Sequence, residues 1–124
     1  MTSDQARVAL GVIRLTNGVL ATLAPTVLMR RLGVTRETNP AATYVFRMFG
    51  IRTVFLGLDL LSGEGDGRRR AIERAPAIHA VDALAAIAAG ASRQLSIRGA
   101  LTAAAVSIIN LGLAVAATSE AANA

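Results

Sequence analysis

The chain has no cysteine, no tryptophan and no lysine, and His79 is its single histidine. Without cysteine there is no disulfide, no thiolate nucleophile and no cysteine-bound metal, and nothing follows about compartment. One histidine leaves a metal site poorly supplied, because oxygen-only sites need more carboxylates than this pattern gathers. Since lysine is missing, all 13 basic residues are arginine, which with abundant alanine fits a high-GC coding bias. Aromatics are only 3% of residues, and Tyr44, Phe46, Phe49 and Phe55 share one stretch, so the usual aromatic girdle of membrane proteins is absent. No Gly-x-Ser-x-Gly occurs, and the lone histidine has no serine partner in register. Asp59 and Asp82 fall at different depths, which removes paired carboxylates for acid–base work. The chain is expected to be non-enzymatic and to need no cofactor.

Long apolar runs are what it does have. Hydrophobic residues make up 53% and charged residues 17%, and the mean hydropathy is +0.51; both shares depart from globular averages toward membrane proteins. At 124 residues the chain is one domain. Four stretches, 8–28, 41–61, 75–92 and 100–117, predict an all-α, antiparallel four-helix transmembrane bundle, with a frayed tail over 118–124. A water-soluble helix needs a polar face about as wide as its apolar one, yet the fourth stretch offers only Thr102, Ser107 and Asn110. The net charge of +5 could suggest nucleic acid, but the arginines are scattered through apolar segments and short loops, and no nucleic-acid partner is expected.

Local signals punctuate these stretches. Ser3 and Asp4 are candidate N-caps. Pro25 should kink or end the first helix. Gly33 is a stop signal, Pro40 opens the second helix, and Pro76 is placed in the first turn of the third. Between the second and third helices, Gly63 to Gly67 alternate glycine with acid and predict a flexible connector ahead of Arg68–Arg70. That run is no phosphate cradle, which needs a preceding strand and a following Lys-Ser/Thr. Ala86 and Gly90 form a small-xxx-small pair that lets helix backbones approach. A cleaved signal peptide is not expected, since Arg14 interrupts the first stretch and no A-x-A site closes it before Pro25.

Each stretch carries a polar residue: Arg14, Arg52, Asp82 and Asn110. A charge inside a lipid-spanning helix is costly and is normally kept only against a partner. With antiparallel neighbours and a rise of about 1.5 Å per residue, Arg14 lies about 9 Å from the face holding both termini. On the same measure Asp82 and Asn110 lie about 10 Å from it, and Asn17 and Arg52 about 14 Å. All four helices thus place a polar group in one off-centre layer. The layer reads either as a structural ion pair, Asp82 neutralising Arg52 or Arg14, or as a net positive pocket for an anion, a lipid headgroup or a quinone carbonyl. His79 is one turn from Asp82 and shares its helix face. Arg30, Arg31 and Arg36 are expected at the headgroups, and Arg47 to snorkel to them. Five arginines fall on each face (Arg7, Arg68, Arg69, Arg70 and Arg74 against Arg30, Arg31, Arg36, Arg93 and Arg98), so the positive-inside rule leaves orientation open.

The segment Arg47-Met48-Phe49-Gly50-Ile51-Arg52, followed by Leu56-Gly57, together with Ala80-Val81-Asp82-Ala83 and Ala24-Pro25 ahead of Arg30-Arg31-Leu32-Gly33, resembles a family of small four-helix membrane proteins of actinobacterial type. More distantly the layout is similar to DoxX-like four-helix membrane proteins. That resemblance implies a fold and an inner-membrane location, and no activity or catalytic residue. The family often has an acid after the second motif arginine, where this chain has Thr53. Three functions stay open: an accessory or scaffold subunit binding lipid, a partner membrane protein or a second copy of itself; a small transporter or channel with an anion or proton site; and a quinone-associated redox subunit.

Overall fold

The computed structural model describes residues 1–62 and 64–123, with side chains described as far as residue 119. All regular structure among them is helical: α1 Ser3–Leu23, α2 Pro25–Arg31, α3 Ala42–Leu61, α4 Gly65–Ala91 and α5 Ile97–Asn123. The N-cap of α1 is Thr2, one residue before the expected pair. Its hydroxyl accepts from the Gln5 N–H at 3.1 Å while the Gln5 side chain accepts from the Thr2 N–H at 3.0 Å, and this reciprocal box decides the start. Pro25 breaks the first apolar stretch as expected. Ala24 before it leaves the helical region at φ −136, ψ 61, and Pro25 then opens α2, because a residue ahead of proline is pushed out of the α basin. Gly33 ends α2 in the left-handed region at φ +73, with Val34 N–H bonded back to the Met29 carbonyl at 2.9 Å.

The largest departures from the expected boundaries lie at the start of α4 and the end of α5. Helix α4 starts at Gly65, ten residues before the predicted 75, so most of the expected glycine connector is helical; Gly63 lies outside the described residues. The charged run stabilises its own turns, since Arg69 pairs with Asp66 at 3.1 Å and with Glu73 at 3.8 Å, spacings that face each other only on a helix. Pro76 therefore sits inside α4 rather than in its first turn. At the other end α5 continues through 118–123, where a frayed tail was expected.

Helix α1 lies along α3 and α4 along α5; α1 and α5 join the two pairs closely, and α3 and α4 join them more loosely. Helices α1 and α4 are thus diagonal across the bundle. The α1–α3 seam is made by four glycines spaced seven apart on each helix, Gly11 and Gly18 facing Gly57 and Gly50. A Cβ built on Gly18 would stand 2.6 Å from the Val54 nitrogen, and one on Gly50 2.7 Å from the Thr22 nitrogen. Backbones this close leave no room for a side chain, and the approach supplies dispersion contact and weak Cα–H hydrogen bonds. Across the α4–α5 seam a Cβ on Gly90 would meet the Ala100 Cβ at 2.6 Å, so the Ala86–Gly90 pair does face a neighbour.

Small residues fill the interior and large apolar ones face out. Buried positions include Ala6, Ala21, Ala83, Ala86, Ala114 and Ala117, while Phe55, Leu84, Ile97, Leu101 and Ile109 are exposed. Water-soluble chains partition the other way. Two helices, Ser3–Leu23 and Ile97–Ser119, are long and apolar enough to cross a membrane. Near the face holding the amino terminus, Leu10, Leu60, Ala75 and Ala114 pack into one apolar cluster.

Substituting Gly18 by Ala should be destabilising. Alanine gains about 1 kcal/mol of helix propensity, but its methyl meets backbone atoms that cannot turn aside, and overpacking of this kind costs about 1–3 kcal/mol. Gly112→Ala, where nothing lies within 4 Å, should be neutral or stabilising. Thermal melting of the two variants in mild detergent measures the difference.

Candidate functional site

The apolar cluster fixes the register of everything beyond it. One turn deeper, about 6 Å, stand Arg14 on α1 and His79 on α4, four residues after Leu10 and Ala75, and Asn110 on α5, four residues before Ala114. One more turn brings Asn17, Thr53, Asp82 and Ser107. These seven side chains line a single cavity of about 290 Å³, whose walls continue through Leu28, Phe46, Phe49, Ala85 and Val106 to Arg31 and Leu32. Phe49 and Ala85 are exposed and Asp82 is partly so, and they belong to α3 and α4, the loosely joined pair. The cavity therefore opens sideways, between those two helices.

At its floor Arg14 is 5% exposed and His79 2%. Arg14 Nη1 meets the His79 ring across the diagonal of the bundle, against Nε2 and 3.4 Å from Nδ1. Arginine has no lone pair to offer, so the ring can only accept in this contact. A ring that accepts at Nε2 is neutral, with its proton on Nδ1. That nitrogen faces the Asp82 carboxylate at 3.6 Å, too long for a hydrogen bond but close enough for the carboxylate to favour this tautomer. The result is a line from Arg14 through His79 to Asp82 in which the guanidinium and the carboxylate balance without touching. Arg14 and Asn110 both line the cavity, and two of their buried atoms, Arg14 Nε and Asn110 Oδ1, have no hydrogen-bond partner among the described residues. An unpartnered buried polar atom is costly, so the floor carries one unpartnered donor and one unpartnered acceptor.

Of the residues singled out from sequence, Arg14, Asn17, His79, Asp82 and Asn110 converge here. Arg52 does not. It is exposed on the outside of α3, as are Arg47 and Asp59. The inner face of α3 is set by Gly50, Thr53, Gly57 and Leu60, all buried, at steps of three, four and three. One residue is about 100° of helix turn, so Thr53 points in and Arg52 points away. The expected Arg52–Asp82 pair is accordingly absent, and Asp82 meets His79 in place of an arginine. Arg30 and Arg36 are exposed near the α2–α3 loop, while Arg31, expected there too, also lines the cavity. Sequence reasoning missed Thr53, Ser107 and the phenylalanines; the spacing from Gly50 to Leu60 was the signal for the first. It also missed Arg7, which is buried, pairs with Asp4 at 2.7 Å and donates to the Leu60 carbonyl at the end of α3, a group with no partner inside its own helix. Among the described residues no three His, Asp or Glu side chains gather to hold a metal ion.

No family model, no curated protein and no solved structure matches this chain. The site's chemistry is therefore argued from its own geometry.

Arg14→Leu should lower stability in detergent by about 1.5–3 kcal/mol, the range for a lost hydrogen bond to a charged group, whereas Arg52→Leu, which removes a charge from the outer face of α3, should leave stability unchanged or raise it. Equal losses in the two melting curves would contradict the placement of these arginines.

Proposed function

We propose that the chain is a multi-pass protein of the bacterial inner membrane, with α1, α3, α4 and α5 all crossing the bilayer and both termini on one face, and that its cavity holds the polar head of a lipid-like amphiphile. The observation that carries this reading is the pairing of an apolar, laterally open wall with a polar floor of Arg14, His79 and Asn110, in which the buried Arg14 Nε and Asn110 Oδ1 have no partner among the described residues. Pockets for small molecules are largely apolar with a few convergent polar groups. A macromolecule cannot reach a layer enclosed by five helices, whereas a single chain sliding between α3 and α4 from the lipid can. The outward display of large apolar residues supports lipid around all four long helices, including the two whose charges or alanine content keep them below the usual measure of a span. The protein on this reading is a non-enzymatic accessory component that presents or stores its ligand.

A second reading has its own support. Arg52 and Asp59 are exposed among Ile51, Phe55 and Leu58 on α3, and charges facing lipid are costly unless a partner covers them. This favours a scaffold role in which α3 docks another membrane protein or a second copy.

Ala103→Phe tests the leading reading. The ring would fill the cavity from α5, and native mass spectrometry after extraction in mild detergent should show a bound amphiphile on the wild-type protein and none on the variant. Identical spectra would overturn it.

A further inference from the structure

The floor of the cavity is electrically balanced as it stands. The charged or titratable groups around His79 are Arg14 from α1 and Asp82 from α4; α3 contributes Thr53 and α5 contributes Asn110 and Ser107, none of which titrates, and Arg31 of α2, which lines the same cavity, is exposed. With a neutral ring at His79, the Arg14 guanidinium and the Asp82 carboxylate sum to zero at the floor. The floor nevertheless holds a cation, Arg14, that lines the cavity, is 5% exposed and has an Nε with no partner among the described residues. That group recognises an anionic oxygen. An anion arriving alone would leave the layer with one uncompensated negative charge, which a low-dielectric interior strongly disfavours.

We propose that the cavity takes an anionic amphiphile together with one proton, and that the proton is carried by His79. This rests on the lipid-binding reading and names its ligand class: an acyl or alkyl chain ending in a carboxylate or phosphate. A proton from water forms the Nε2–H bond, and Nε2 then has no lone pair for Arg14. The Arg14–His79 hydrogen bond breaks, the imidazolium pairs with Asp82, and the released guanidinium turns to the anion with help from the Asn110 amide. Charge is zero before and after: guanidinium against carboxylate in the empty state, and two such pairs in the occupied one. Protonation and anion binding thus compete with the same Arg14–His79 contact and favour each other, as linked equilibria must. A site of this kind suits an electroneutral carrier of acid and proton.

The experiment uses the full chain in nanodiscs of neutral lipid, with dodecanesulfonate as a permanent anion and dodecanol as its neutral counterpart. Calorimetric titration in two buffers of different ionisation enthalpy counts the protons taken up. The proposal expects about one proton per dodecanesulfonate at neutral pH, and an affinity that falls up to about tenfold per pH unit while His79 is neutral in the empty protein. In His79→Gln, which accepts from Arg14 but cannot be protonated, uptake should vanish and anion affinity should drop; circular dichroism melting establishes that the variant is folded. Competition by dodecanoate and by lysophosphatidate then tells a carboxylate from a phosphate source. Sulfonate binding without proton uptake, or with equal uptake in His79→Gln, would overturn the inference. Dodecanol binding with no sulfonate binding would also overturn it while leaving the lipid-binding reading intact, and binding of neither would overturn both.

Discussion

The rest of the structure depends on the inability of arginine to accept a hydrogen bond. Arg14 reaches across the diagonal of the bundle to His79, and because a guanidinium only donates, a ring that accepts from it at Nε2 is neutral and carries its remaining proton on Nδ1. Asp82 receives that proton's dipole at 3.6 Å and balances the charge at a distance. A buried ion pair in direct contact would be a closed unit. Here the cation and the anion are held apart by the imidazole ring, and the cation keeps an N–H with no partner among the described residues.

Such a layer needs a tight frame, and small residues provide it. The glycine seam brings α1 and α3 to backbone contact, and alanines do nearly the same between α4 and α5. The large apolar side chains displaced from the interior stand outside. The frame and the site are therefore connected. Close packing near the amino-terminal face, around Leu10 and Leu60, closes the floor, and the looser meeting of α3 and α4 leaves the side entrance.

Much of this was legible in the sequence. Apolar runs located the long helices, Pro25 and Gly33 marked true breaks, and counting residues inward from each helix end placed Arg14, Asp82 and Asn110 at similar depth. Depth, however, is only one of two helical coordinates. Arg52 was given the right height and the wrong side, because the rotational phase of α3 is set by Gly50, Thr53 and Gly57 against α1, and glycine carries no hydropathy signal to reveal it. The early start of α4 was hidden for a related reason: glycines and charges look like a connector until Asp66, Arg69 and Glu73 are seen at the spacing of helical turns. The role of His79 could not be read at all, since it depends on a residue 65 positions away on a helix that is not its neighbour in the ring.

Because His79 is the single histidine, one spectrum reports on the central contact. Nitrogen-15 labelling of histidine and solid-state magnetic resonance of the protein in lipid at neutral pH should give a neutral ring, with Nδ1 protonated and Nε2 bearing a lone pair. A resonance pattern of the Nε2–H tautomer, or of an imidazolium, would mean that Arg14 does not donate to this ring, and the account would fail.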